Sequence, residues 1–333
     1  MKRRMLLAIY ALCSWLGIFR LFYAINRNRA LNITYHNVLP DDVYDNSVHL
    51  GMSHPSSIFE TQILHINRRW PITTDPDQPG TCRITFDDGY RNQKVVAARI
   101  LENHGLRGVF FVPFEPLESG KTLIVDRILQ WISYVIPGLY RFGGLTVDIS
   151  ENSRRLPAFR MIYQHLLANP EHWQSIVDEL NQASPFAALE IDPTMDSLRF
   201  TPLTIRDLDE MRARGHRIGC HGWDHKPLST LRAEFVSEEF DRCRERVPEY
   251  CSCSEFSYPF GGEAEVSSMV AKACRRANFS HGFLNVEKVP SSLSVMGQYA
   301  LGRVSLPRES SPYLLDAKLS GFERFVKQIL RRS

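Results

Sequence analysis

Cys82-Arg83-Ile84-Thr85-Phe86-Asp87-Asp88-Gly89-Tyr90 is the stretch that decides how this chain folds. Its first five residues read as a short buried strand that runs directly into two carboxylates and a glycine. A helical pattern follows, with Val95, Val96, Ile100 and Leu101 at helical spacing, and it stops near Gly105. Gly108-Val109-Phe110-Phe111-Val112 reads as the next strand. Strand, helix and strand within about 30 residues make a βαβ unit, so a parallel sheet is expected.

The same alternation returns later in the chain. Residues 203–213 carry Leu203, Ile205, Leu208 and Met211 at helical spacing, and His216-Arg217-Ile218-Gly219-Cys220 reads as a strand. Helices are expected over 235–247 and 266–277, and strands over 255–258 and 279–284. Repeated strand–helix units predict a parallel barrel or a doubly wound sheet, with the chemistry at the C-terminal ends of the strands. Residues 113–202 have another character. Helices are expected over 123–140, 158–167 and 172–180, separated by Pro137-Gly138, Pro157 and Pro170. This segment reads as a helical insertion over one rim of the barrel.

The 333 residues carry 40 Lys+Arg against 37 Asp+Glu, a formal charge of +3, and 44% are hydrophobic. That composition supports a large core and excludes a disordered chain, a collagen-like fibre or a bundle of membrane spans. It leaves no broad basic face, so nucleic acid is not an expected partner. The seven cysteines lack the spacing of a disulfide framework and point to a reducing compartment, with Cys251 and Cys253 read as unrelated thiols.

At the N-terminus (1–30), Lys2, Arg3 and Arg4 precede an uncharged run from 5 to 19 that is too short to span a bilayer. It reads as a signal-anchor, an interfacial helix or a helix buried on the domain. Basic flanks at both ends favour a membrane surface, on the cytoplasmic face if cysteine usage is the guide. The tail (313–333) reads as a basic amphipathic helix with Phe322, Phe325, Val326 and Ile329 on one side, packed against the domain rather than on a membrane.

Asp87 and Asp88 follow a strand, and extended backbone alternates its side chains, so one carboxylate can reach a metal while the other addresses substrate or solvent. His221 and His225 follow a second strand at an i, i+4 spacing that can bring both imidazoles to one centre. Asp88, His221 and His225 thus form a set of two nitrogens and one oxygen, leaving a coordination position for water as a catalytic site requires. Zinc suits this set best, and cobalt, nickel or iron could occupy it.

Three motifs carry a family resemblance. Thr85-Phe86-Asp87-Asp88-Gly89-Tyr90, Ile218-Gly219-Cys220-His221-Gly222-Trp223-Asp224-His225 and Phe256-Ser257-Tyr258-Pro259-Phe260-Gly261 resemble, in order, the motifs of the polysaccharide deacetylases, the NodB-homology or carbohydrate esterase family 4 group. The resemblance spans from about 33 to 307 within an expected domain of 31–312. It implies a distorted (β/α) barrel, with the helical insertion lying between the first and second metal-binding motifs.

The activity implied is metal-dependent removal of acetyl groups from a glycan. By the same resemblance Asp87 is the general base, Asp88, His221 and His225 are the metal ligands, and the Phe260 backbone N–H helps hold the oxyanion. Tyr258 is expected beside the substrate, and Trp223 either stacks there on a sugar or is a packing aromatic. The general acid is expected at His36, whose Tyr35-His36 context resembles the branch with an N-terminal acid, or at His281.

Two departures stand out. Ser257 occupies the place where the third motif often carries an arginine that orients the base, and Gly222 stands where Ser or Thr is usual. The expected function is N-deacetylation of N-acetylhexosamine units in a polysaccharide or glycolipid precursor. The alternatives are O-acetyl ester hydrolysis or a non-catalytic carbohydrate-binding or assembly protein on the same fold.

Overall fold

The computed structural model describes residues 2–44 and 52–330, so Met1, His49 and the last three residues of the expected tail helix lie outside it. Seven parallel strands form the central sheet: β1 Leu31–Tyr35, β2 Cys82–Phe86, β3 Val109–Val112, β4 Arg217–Cys220, β5 Glu255–Ser257, β6 His281–Phe283 and β7 Val304–Ser305. Their order in space is β6-β5-β4-β3-β2-β1-β7. β7 bonds to β1 through Ile33↔Val304 and Thr34↔Ser305. The chain just before β7 bonds to the opposite edge, with Leu301 N–H donating to Gly282 O at 2.8 Å and Arg303 N–H to Val286 O at 3.0 Å. The segment 301–305 therefore draws the two edges of the curled sheet together, and the expected distorted barrel is what forms.

Strand alternation divides the residues between two environments. Ile33 and Tyr35 of β1, Ile84 and Phe86 of β2, Phe110 and Val112 of β3, and Ile218 and Cys220 of β4 share one continuous core with the surrounding helices. The other face points into the barrel. Val109, Phe111 and Phe283 fill it, together with a fully buried ion pair between Arg83 and Glu255. From Phe86, which faces the helices, the next residue must point inward, and Asp87 does: its carboxylate is reached by Arg303 from inside the barrel.

Several sequence expectations are redrawn. The segment 123–140 is not one helix: Ile124–Tyr134 is helical, and an antiparallel hairpin, Leu139–Phe142 with Leu145–Asp148, follows. The helix expected over 158–167 starts earlier, at Asn152–Ala168, and carries Pro157 within it. These elements and the helix Trp173–Ala183 enclose a hydrophobic core of their own, with Trp131, Ile162, Trp173 and Leu180 at its centre and Phe260 packed on its edge.

The tail is two helices, Pro312–Leu319 and Phe322–Leu330. It packs against the N-terminal helices: Phe322 meets Tyr10, Phe19 and Phe22 ring to ring at 5.3–6.3 Å. The N-terminal segment is also two helices, Lys2–Trp15 and Ile18–Ile25, bent by 70°, and no single described helix is long and apolar enough to cross a membrane.

Candidate active site and metal centre

The C-terminal ends of β1, β2, β4 and β5 deliver the expected residues to one place. Asp88, His221 and His225 are buried, and their ligand atoms lie within 4.8 Å of one another. Both histidines present Nε2 to the same oxygen, Asp88 Oδ1, at 3.2 Å from His221 and 3.0 Å from His225. These are separations expected between neighbouring ligands of one small cation whose bonds are about 2.0–2.2 Å. Asp88 Oδ1 is nonetheless buried without a hydrogen-bond partner among the described residues. A buried carboxylate oxygen facing two imidazole nitrogens that do not bond to it is poorly satisfied by protein alone, and a divalent cation would satisfy all three.

The tautomer agrees. His221 Nδ1 lies 2.7 Å from the Ser257 carbonyl, so it carries the proton and leaves the Nε2 lone pair turned to the centre. The residues present fit a divalent metal.

The backbone reports the same convergence. Among the described residues, four non-glycine residues have positive φ: Asp88 at 76°, His225 at 58°, Phe260 at 60° and Asn278 at 58°. Asn and Asp tolerate this conformation better than other residues, yet three of the four belong to the site, and a bulky residue such as Phe260 persists there only if its surroundings hold it. The turn at Asp88 explains how two adjacent carboxylates both line one cavity, where simple alternation would have separated them. Gly222, at φ 81°, also explains the departure from Ser or Thr. A Cβ there would meet Pro259 Cγ at 3.1 Å as well as being strained by its backbone.

The arginine absent from the third motif is supplied from elsewhere. Arg303, immediately before β7, is fully buried and grips Asp87 with two nitrogens, Nη1 to Oδ1 at 2.8 Å and Nη2 to Oδ2. Nη2 also donates to Ser257 Oγ at 2.9 Å, and Nε donates to Leu284 O at 2.9 Å. Ser257 occupies the usual arginine position and becomes a partner of the arginine that replaces it. Burial works to raise the Asp87 carboxyl, but Arg303 and the histidines hold it below its ordinary value, so it stands as a carboxylate. Burial likewise works to raise Asp88, yet the imidazoles of His225 and His36 hold it well below.

His36 follows β1 and lines the same cavity as Asp87, Asp88, His225 and Phe260. Gln93 fixes it there: its side-chain amide donates to the His36 carbonyl at 2.8 Å and also to that of Asp87. Gln93 opens a π-helical turn, Gln93–Ala98, a deformation frequent at functional sites. Burial lowers the His36 pKa against the pull of the two aspartates.

The other expected acid, His281, stands at the opposite end of its strand, bound to Asp77 at 3.0 Å and Ser280 at 3.1 Å. Strand direction alone removes it from the site.

The substrate role expected of Tyr258 is corrected, and Trp223 takes its packing alternative. Tyr258 points to the helix side of the barrel, is fully buried, and donates its hydroxyl to Tyr299 O at 2.8 Å. Trp223 is buried in the main core, with the Arg242 guanidinium 3.5 Å from its ring centroid. Neither lines the cavity. Phe260 does: its ring lies 4.6 Å from that of His225 and 4.9 Å from that of Tyr163 in the insertion. The rest of the lining comes from Met52, Tyr90, Val125, Asp126, Leu129, Phe159 and Asn285, around a volume of about 180 Å³. The segment Val125-Asp126-Arg127 reads in sequence either as facing the cleft or, by preference, as a surface ion pair. Asp126 is instead 2% exposed, accepts from Tyr90 Oη at 3.0 Å and faces the buried Arg199 at 3.5 Å.

The curled seven-strand parallel sheet has its counterparts among solved polysaccharide deacetylases. The polysaccharide deacetylase family model matches residues 204–279, which hold the second and third motifs. The fold matches the Streptococcus pyogenes deacetylase PplD, solved in complex with acetate, at 13% identity and a TM-score of 0.53, covering 87% of this chain and 97% of that one. It matches a Bacillus cereus polysaccharide deacetylase at 13% and 0.52, over 87% and 68%. For IcaB from Ammonifex degensii the values are 16% and 0.50, over 86% and 96%. No curated relative matches the chain. The chain has the polysaccharide deacetylase fold and carries that family's sequence signature across its second and third motifs.

Proposed function

We propose that this chain is a metal-dependent carbohydrate deacetylase that hydrolyses the acetamide of N-acetylhexosamine units in a polysaccharide or glycolipid precursor. The observation that carries the reading is the Arg303-clamped Asp87 carboxylate lining one cavity with Asp88, His225 and His36. Asp88, His221 and His225 would hold the cation, with zinc the ion best suited to two imidazoles and one carboxylate. When bound, it would supply Lewis-acid polarisation of the acetyl carbonyl and of water. Asp87, kept ionised by Arg303, takes the proton of the attacking water. The Phe260 backbone N–H is the expected donor to the oxyanion, and the left-handed turn at Phe260 sets its direction. His36 returns a proton to the leaving amine.

Loss of the orienting arginine would have favoured a non-catalytic protein, and Arg303 removes that ground. The test is acetate release from N-acetylated and O-acetylated glucosamine oligosaccharides by zinc-loaded protein. Release from the N-acetylated series supports the reading. Release from the O-acetylated series alone makes the protein an esterase, and release from neither makes it a binding protein.

We infer further that the N-terminal helices rest on a membrane surface. Met5, Ile9, Leu12, Trp15, Leu21 and Ile25 are exposed, Trp15 by 81%, and Arg3, Arg4, Arg20 and Arg27 lie among or beside them. Apolar side chains rimmed by arginines suit anionic lipid, and the cysteine usage favours the cytoplasmic leaflet. The full chain should co-sediment with phosphatidylglycerol vesicles and less with phosphatidylcholine, and Leu12→Glu with Trp15→Glu should abolish this. Equal partitioning of the double variant and the parent would overturn the assignment.

A further inference from the structure

Asp126 is a carboxylate that the chemistry above does not use. It is 2% exposed and lines the cavity, on the helix that opens the insertion. One of its oxygens is occupied: Oδ1 accepts from Tyr90 and faces Arg199. The other, Oδ2, is buried and has no hydrogen-bond partner among the described residues. Asn285, on the loop after β6, shows the same state in the same cavity, with its Oδ1 buried and unpartnered among the described residues. A buried acceptor left unsatisfied is costly, most of all when charged, so two such acceptors beyond the metal-ligand set in one cavity point to donors that arrive with a ligand. The remaining wall is apolar and aromatic, from Val125, Leu129, Phe159, Tyr163 and Phe260. Stranded acceptors beside an aromatic and aliphatic wall suit a ring with hydroxyl donors on its rim and C–H groups on its face.

We propose that Asp126 and Asn285 are specificity-determining residues that accept hydrogen bonds from hydroxyls of the sugar ring seated in this cavity. The assignment rests on the glycan reading above and adds where the insertion touches the substrate. Tyr90 and Arg199 act as positioning residues: they take up Asp126 Oδ1 so that Oδ2 is the atom left for the ligand.

The test separates recognition from turnover. Binding of N,N′-diacetylchitobiose, and of chitobioses lacking one ring hydroxyl, is measured by calorimetry on the zinc-loaded full chain in an Asp87→Asn background. Asp126→Asn and Asn285→Ala should each weaken the parent sugar about tenfold, as expected for one hydrogen bond to a charged or buried acceptor. Each should show little further loss with the analogue lacking the hydroxyl it reads. Should Asp126→Asn fail to fold for want of a counter-charge to Arg199, the Asn285→Ala arm and the deoxy series on the parent protein carry the test.

Unchanged affinity in a folded variant, equal binding of every deoxy analogue, or tighter binding of the free-amine disaccharide through Asp126 would each overturn the proposal. So would failure of the parent protein to bind the sugar. Acetate release by the protein with Asp87 intact is measured separately. Binding with hydroxyl dependence but no release leaves this assignment standing and removes the hydrolase reading.

Discussion

Replacing Arg303 with methionine should lower kcat about a hundredfold while leaving sugar binding nearly unchanged. The ceiling is the ~10²–10⁴ that positioned proton transfer contributes, because Arg303 acts only through Asp87. In an Asp87→Asn background the same replacement should cost almost nothing more, since two residues working as one unit give non-additive losses. The pH profile supplies a readout that a merely structural arginine would not move. Arg303 opposes the effect of burial and holds the Asp87 carboxyl below its ordinary value. Without it the pKa rises, so the active carboxylate form is lost at a higher pH as the solution is acidified, and the acid limb of kcat/KM moves up. Arg303→Lys should recover part of both effects, because it keeps the charge and loses the two-pronged grip. Circular dichroism on each variant checks the fold, since removing one partner of a buried ion pair costs about 3–5 kcal/mol.

His36→Gln should lower kcat by about 10²-fold or more if His36 delivers the proton to the departing amine. The sign of the pH effect follows from its surroundings. Burial lowers the imidazole below its ordinary 6.5 in spite of the nearby aspartates. The protonated form needed of an acid is therefore lost as pH rises through a value below 6.5, and this sets the alkaline limb. In the glutamine variant that limb should vanish along with most of the rate. A variant that keeps kcat and the limb but raises KM would make His36 a substrate contact only.

Much of this site could be read along the chain because its parts are local. Asp87 and Asp88 sit at a strand end, and the interval from His221 to His225 is short enough to specify its own geometry. Arg303 is different. It lies 216 residues from the carboxylate it clamps, and only closure of the barrel through 301–305 brings it there. The remaining signal was a lone arginine beside an apolar strand. The preferred surface reading of Asp126 fails for the same reason: its counter-ion Arg199 lies 73 residues away, and both are buried.

Other misreadings were legible in principle. Alternation along Phe256, Ser257 and Tyr258 already sends Tyr258 to the side opposite Ser257, away from the barrel interior. Gly143-Gly144 between Leu139–Phe142 and Leu145–Asp148 is the two-residue pattern of a tight hairpin, with φ of 57° and 73°. A continuous helix over 123–140 overlooked it.

Zinc binding by the purified full chain tests the centre of this account most directly. Titration of metal-free protein should reveal one tight site per chain, absent in Asp88→Ala, His221→Ala and His225→Ala variants that keep their circular dichroism, and retained in Arg303→Met. A parent protein that takes up no divalent ion, or ligand variants that bind it as the parent does, would contradict it.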